Sequence, residues 1–146
     1  MRYLLLFILC ISLWSCSTSK TTSKKEPISK DALAQLQDKR WVLQKLPDTT
    51  VPKMTKQIYI LFDKNGVEVK GFGGCNGFGG SYKTDDKGLH LSNMISTQMW
   101  CDYGPVEQKF MHAIQDCDNF IITGDDMQLL KNNKPVAYFT AVYLNN

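Results

Sequence analysis

One segment of this chain has the periodicity of an amphipathic helix, and it lies between two groups of strand-like segments. Gly104 is followed by Pro105, which suits the first helical position, and Glu107 favours the positively polarised first turn. Apolar residues then recur at helical spacing and predict a helix with one buried face. These residues are Val106, Phe110, Met111, Ile114 and Cys117.

The strand-like segments lie on both sides of this helix and are joined mostly by short turns. Before it come RWVLQKL, QIYILFD and LHLSNM, and after it come FIITGDDMQLL and PVAYFTAVYL. Asn65 and Gly66 predict a type I′ hairpin turn after the second of these segments. Ser29 predicts the cap of a short first helix, DALAQLQ. This order predicts a single domain over residues 28–146, of the α+β class with an antiparallel sheet.

The N-terminus, MRYLLLFILCISLWSC, has the pattern of a secretory signal. Its apolar run is too short to anchor the chain across ~30 Å of hydrocarbon, and the small Ser15 suits a cleavage site. Leu13 and Ser15 before Cys16 also resemble a bacterial lipobox, in which the cysteine becomes diacylated. Trp14 departs from that pattern, and plain cleavage is the alternative. We predict a signal peptide over residues 1–15 and lipidation of Cys16.

Residues 16–27 predict a flexible tether, because they are polar and contain no apolar residue before Ile28. Acyl chains on Cys16 would hold the protein on a membrane without spanning it. We therefore expect a lipid-anchored protein of the cell envelope. Ser17 is not the aspartate that would retain a lipoprotein at the inner membrane of a Gram-negative host. This predicts the outer membrane, with the domain facing the periplasm or the cell surface.

Charge and glycine spacing argue against nucleic-acid and nucleotide partners. The chain has 17 basic and 14 acidic residues, and four of its lysines lie in or just beyond the tether. No basic surface for nucleic acid is therefore expected on the domain. The stretch GFGGCNGFGGSY at residues 71–82 lacks the spacing of a phosphate-binding loop, and no helix signal follows it at once. We expect no cofactor.

Thiol and metal chemistry receive little support from the sequence. A nucleophilic Cys75 would need a base beside it, and the sequence directs neither His90 nor His112 towards it. A zinc site of Cys75, Cys101 and a histidine would lack the usual close ligand spacing. We expect no catalytic residues and no metal. A small thiol-dependent enzyme using Cys75 remains the alternative.

Five motifs together resemble the META domain family, also called HslJ-like, a group of small bacterial envelope proteins. The motifs occur in the family's order between residues 38 and 142, and they are RWVL, GGCNGFGGSY, TQMWC, PVEQKFMHAI and GDDMQLL. The resemblance implies a strongly bent antiparallel sheet packed against one main helix. It implies no established enzyme chemistry, and it implies links to stress response or virulence.

The resemblance also identifies Cys75 and Cys101 as the family's two recurrent cysteines. Cys10 would leave with the signal, Cys16 would be acylated, and Cys117 completes the apolar face of the helix. The envelope is an oxidising compartment in a Gram-negative host, where disulfides persist. We therefore predict a disulfide between Cys75 and Cys101.

Aromatic residues flank both cysteine loops. They could cover the glycines as core, or they could remain exposed as an interaction patch, and the sequence leaves both interpretations open. The candidate patch residues are Phe72, Asn76, Phe78, Tyr82, Trp100 and Tyr103. We expect a membrane-tethered, non-catalytic domain that binds an envelope protein or a ligand. A module that inhibits an enzyme is a second alternative.

Overall fold

The computed structural model describes residues 28–65 and 67–144, so the predicted signal peptide, Cys16 and the tether lie outside the described residues. The described chain forms two helices and eight strands. In chain order they are α1 (Lys30–Leu36), β1 (Lys39–Lys45), β2 (Tyr59–Phe62), β3 (Glu68–Phe72), β4 (Gly77–Asp85), β5 (Gly88–Ser96), α2 (Gly104–Asp116), β6 (Asn119–Thr123), β7 (Asp126–Lys131) and β8 (Lys134–Tyr143).

All eight strands belong to one antiparallel sheet in the order β5-β4-β3-β2-β1-β8-β7-β6. The sheet is curled so strongly that its two outer strands meet. The backbone N–H of Leu89, in β5, donates to the carbonyl of Asp118, just before β6, over 3.1 Å. The predicted bent antiparallel sheet is therefore present as a half-barrel. The α+β class is confirmed only in part, because most of the ordered structure is sheet.

The short helix α1 is attached to the sheet by a tryptophan. Ser29 caps the helix, its hydroxyl accepting from the Ala32 N–H over 3.1 Å. The indole Nε1–H of Trp41, on β1, donates to the carbonyl of Leu36 over 2.8 Å. Trp41 and Leu36 are both fully buried. The tryptophan near the start of β1 therefore fills the core and also satisfies a carbonyl at the end of α1.

The predicted hairpin between β2 and β3 is confirmed, with pairs from Tyr59–Phe72 to Phe62–Val69. Its turn is organised by Asp63, whose Oδ1 accepts from the backbone N–H groups of Val67 and Glu68 over 3.1 and 2.9 Å. Gly66 lies outside the described residues, so the predicted type I′ conformation stays a prediction.

A second hairpin, between β7 and β8, turns at Asn132 and Asn133. Both residues have a left-handed backbone, with φ of 50° and 62°. A two-residue type I′ turn requires positive φ at both positions, and asparagine tolerates it better than most residues. The sequence indicated only that this pair leads into the last strand.

Helix α2 lies against the curled sheet and confirms the predicted buried face. Phe110 and Ile114 are fully buried, and Cys117 is 5% exposed. The ring of Phe110 lies 5.8 Å from that of Phe78 and 6.3 Å from that of Phe139, measured between centroids. The helix thus joins both halves of the sheet in one core. Neither helix of the described chain has the length and apolar character needed to cross a membrane.

Replacing Phe110 with alanine should lower the free energy of unfolding by roughly 3–5 kcal/mol, because it leaves a cavity between α2 and the sheet. Urea denaturation followed by circular dichroism measures this change. Ile121→Ala is the control, because Ile121 is 50% exposed. It should change the free energy by less than about 1 kcal/mol. Equal effects of the two substitutions would contradict this account of the core.

Candidate functional site

The glycine-rich segment between β3 and β4 is held by Glu107, in the first turn of α2. Its Oε2 accepts from the backbone N–H groups of Cys75 and Asn76, over 2.8 and 2.6 Å. Its Oε1 accepts from the side-chain Nδ2 of Asn76 over 2.6 Å. A carboxylate that accepts three such bonds fixes the loop far more firmly than a contact with the helix dipole would.

Asn76 is buried, at 5% exposure, and each of its amide groups has two partners. The Nδ2 group donates to Glu107 and also to the carbonyl of Met99 over 3.0 Å. The Oδ1 atom accepts from the Thr97 hydroxyl over 2.9 Å and from the Met99 N–H over 2.6 Å. Both donors and both lone pairs are therefore used, which is the condition under which a buried amide stabilises a structure.

Two of the glycines are required by the close approach of other groups. A Cβ atom at Gly73 would lie 2.7 Å from Oε2 of Glu107. A Cβ atom at Gly71 would collide with the carbonyl of Tyr59 and the ring of Phe78. These glycines let the chain pass close to a carboxylate and to a neighbouring strand.

The predicted disulfide between Cys75 and Cys101 is present, with a Cα–Cα distance of 5.6 Å and a sequence separation of 26. Closing a loop of this length stabilises a fold by roughly 3–4 kcal/mol in the chain-entropy model. Together with the bonds from Asn76 to Met99, it fixes the segment between β5 and α2 at two neighbouring points.

Large apolar side chains project into solvent from the end of β5 and from the fixed segment that follows it. Trp100 is 89% exposed, Ile95 is 74% exposed and Met99 is 63% exposed. We call these three residues the exposed apolar loop. Trp100 lies between two anchored neighbours, Met99 and Cys101, so its backbone is held although its ring is free.

Three of the six candidate patch residues belong to the interior, so the core interpretation holds for them and the patch interpretation does not. Asn76 is the buried hub described above. Phe78 and Tyr82 lie on the inward face of β4, because residues four apart in a strand share a face. The Tyr82 hydroxyl donates to the carbonyl of Asp63 over 2.7 Å, and its ring lies 5.0 Å from that of Phe62.

The other three patch residues are accessible to different extents. Trp100 is the most exposed, whereas Phe72 and Tyr103 are half-buried. Phe72 is contacted by a cation, since Nζ of Lys56 lies 3.9 Å from its ring centroid. The carbonyl of Tyr103 accepts from the Glu107 N–H over 2.9 Å at the start of α2. The six candidate residues therefore do not form one exposed patch.

The sequence profile of one known family aligns with residues 34–143, a range that includes the loop, both disulfide cysteines and Glu107. The chain belongs to the META domain family. An NMR structure of a protein from Burkholderia xenovorans is 27% identical with a TM-score of 0.64, and the match covers 80% of this chain and 90% of that one.

A second solved NMR structure shares the fold with this META domain, at 21% identity and a TM-score of 0.59. That match covers 73% of this chain and 92% of the other. No curated protein matches the chain.

The cysteines described in this META domain do not offer a ready nucleophile. Cys75 is bonded to Cys101. Burial, reinforced by the charge of Asp118, raises the pKa of the Cys117 thiol to about 12. The thiolate of Cys117 is therefore scarce at neutral pH.

The two histidines of the META domain lie in other surroundings. Nε2 of His90 lies 3.0 Å from Oδ1 of Asp85, and His112 is exposed on α2. Within residues 28–65 and 67–144, no three side chains of the metal-binding types are grouped closely enough to hold an ion.

Sequence reasoning missed the central role of Glu107 and the exposure of Ile95 and Met99. The sequence indicates Glu107 only as a residue that suits the start of a helix. Its contact with the loop would have to be inferred from the joint presence of three family motifs, the Gly-Cys-Asn turn, the Thr-Gln-Met segment and the helix that begins near a glutamate. Ile95 follows Met94 and Met99 precedes Trp100, and the sequence alone does not show which member of such an apolar pair is exposed, since single exposed apolar residues are common on surfaces.

Glu107→Gln should lower the free energy of unfolding by roughly 2–3 kcal/mol. Glutamine has a single side-chain oxygen, which can accept only some of the three hydrogen bonds. The side-chain NH₂ group of the glutamine would face Nδ2 of Asn76, so that two donors would oppose each other. Denaturation in urea under non-reducing conditions measures the change while the disulfide is kept.

Glu68→Gln is the matched control for this substitution. The Glu68 side chain is exposed on β3, and removing its charge should change the free energy by less than about 0.5 kcal/mol. If Glu107→Gln were no more destabilising than Glu68→Gln, the three hydrogen bonds would not stabilise the loop as described.

Proposed function

We propose that this protein is a membrane-tethered, non-catalytic domain of the bacterial cell envelope that binds a partner protein through the exposed apolar loop. The observation that carries the proposal is the 89% exposure of Trp100 on a backbone that is anchored on both sides. Tryptophan is among the residues that dominate protein interfaces, because its large ring is buried on binding.

The anchored backbone favours binding because the loop is already ordered before it meets a partner. The Asn76 amide bonds both the N–H and the carbonyl of Met99, and the disulfide holds Cys101. A loop that is already ordered loses less conformational entropy when it meets a partner. The buried Asn76 and Glu107 thus support the neighbouring Trp100.

The shape of the surface favours a protein as the partner at this loop. Small molecules usually bind in concave pockets that enclose most of their surface. Here Trp100 and Met99 project outwards, and beside Ile95 lies an open depression of about 340 Å³ that Gly77 and Gly79 also line. Glycines leave room there for a side chain of another protein.

The predicted tether would determine the distance from the membrane at which such a partner is bound. The sequence predicts a flexible tether, and as a random coil the eleven residues after Cys16 would give an average reach of roughly 18 Å from the membrane surface. The lipobox pattern and Ser17 support a lipid anchor in the outer membrane, and the family resemblance supports a role in stress response or virulence. If the captured partner is an enzyme that loses activity when bound, the domain acts as an inhibitor.

Trp100→Ala should abolish partner capture and leave the fold intact. A photo-crosslinking residue at Gln98, which is exposed, would be introduced into the full chain and illuminated in cells. The crosslinked adduct should disappear in Trp100→Ala. The free energy of unfolding should change by less than about 0.5 kcal/mol, because the ring contacts solvent.

Ile121→Ala provides the control, since it removes an exposed apolar side chain from β6, away from the exposed apolar loop. It should preserve the crosslinked adduct. An adduct that survives Trp100→Ala, or an unfolded Trp100→Ala protein, would refute the assignment of this surface.

Lipidation is tested at the predicted site itself. Cells fed an alkyne-bearing fatty acid should label the wild-type protein and leave Cys16→Ser unlabelled, because the acyl chains require the Cys16 thiol. Cys10→Ser is the control, because it removes the other N-terminal cysteine and should keep the label. Label retained in Cys16→Ser would contradict the proposed anchor.

A further inference from the structure

A second site lies away from the exposed apolar loop, between β1, β2 and the loop that precedes β2. It is a cavity of about 500 Å³, within the usual range of small-molecule sites. Its lining combines cationic and apolar side chains. The residues used below are Arg40, Leu43, Lys53, Met54, Lys56 and Tyr59.

The cations of this cavity are not neutralised by the described acidic residues. Arg40, Lys53 and Lys56 all line it. Ion pairs between described residues involve Asp85, with Lys83 and His90 as its partners. None of the three cavity cations has an acidic partner within the part of the chain that the structure describes. Their charges therefore combine to attract an anion.

Arg40 is held in a fixed orientation. Its guanidinium carbon lies 4.5 Å from the ring centroid of Tyr59, which is stacking distance for a planar cation on an aromatic face. Its Nε–H is buried and has no hydrogen-bond partner. Arg40 lines the cavity, and the planar array of N–H donors of its guanidinium group matches the oxygens of a carboxylate or phosphate.

Lys56 is also positioned by an aromatic ring. Its ammonium group lies 3.9 Å from the centroid of Phe72, on the adjacent strand β3. The half-buried Phe72 therefore supports a cation at the rim of the cavity. Two of the three cations are thus pre-oriented, which lowers the entropy lost when they bind a ligand.

Part of the remaining wall is apolar. Leu43 is buried at 5% exposure, and Met54 is half-buried against the core. Methionine adapts its shape to irregular ligands because it is unbranched and polarizable. An inorganic ion would leave this wall uncovered, whereas an ion attached to an apolar group would contact both parts.

The geometry points to a binding site for a small soluble organic oxyanion, a phosphate monoester or carboxylate carried on an apolar group. Arg40, Lys53 and Lys56 bind the oxyanion, and Leu43 and Met54 contact the apolar group. This site is independent of the exposed apolar loop, so either assignment can fail while the other stands.

NMR titration of the ¹⁵N-labelled full chain tests the site with hexyl phosphate and hexanoate. At least one should shift the amide signals of residues 51–59 and the Arg40 Nε–H signal saturably. Hexanol, which has the same chain and no charge, should produce no saturable shifts. Inorganic phosphate should bind more weakly than hexyl phosphate, because it leaves the apolar wall uncovered.

The variant Lys53→Gln/Lys56→Gln should weaken the binding by roughly tenfold or more. Both side chains are exposed, so the fold should be retained, and the unchanged amide spectrum of α2 checks this. Lys87→Gln removes one exposed lysine from the turn between β4 and β5 and should leave the Kd unchanged.

The proposal is overturned if neither oxyanion gives saturable shifts at these residues, or if hexanol binds equally well. It is also overturned if Lys87→Gln weakens binding as much as the cavity variant does. Shifts seen only with phosphatidylglycerol vesicles, and absent with both soluble oxyanions, would likewise overturn it, because they would indicate a membrane surface as the ligand.

Discussion

The carboxylate of Glu107 joins parts of the chain that the sequence keeps far apart. It binds the loop after β3 directly, and through the Asn76 amide it is linked to the segment that follows β5. Because Glu107 lies in the first turn of α2, the position of the helix against the sheet depends on the same contacts. The disulfide adds a covalent connection between the same two loops.

A rigid interior and an exposed aromatic ring occur within a few residues of each other here. Each polar atom of the Asn76 amide is hydrogen-bonded, and the amide holds the backbone of Met99. The next residue, Trp100, is nevertheless almost wholly in solvent. Exposure of a large ring has no benefit for folding, since burial is what stabilises it. The contrast is consistent with a loop whose backbone serves the fold and whose side chains serve an interaction.

The sequence predicted those features that depend on local patterns. The periodic face with Phe110 and Ile114, the Ser29 cap and the strand segments all depend on neighbours in the chain, and the structure has them. The strong bend of the sheet was expected only from the family resemblance, and no local pattern indicates it. The partners of Glu107 and the exposure of Trp100 depend on contacts between distant segments. A single sequence carries no local sign of these, and the same aromatic residue type gave buried Phe78 and half-buried Phe72.

The hydrogen bond between Leu89 and Asp118 bears on the proposed lipid-anchored state of the protein. Unpaired strand edges are templates on which another copy can add a strand, and anchoring concentrates copies in two dimensions. Here the curl pairs one backbone N–H of the outermost strand β5 with the carbonyl just before β6, the outermost strand on the other side. The same curl that encloses the core therefore also covers part of an edge on which a neighbouring copy could add a strand.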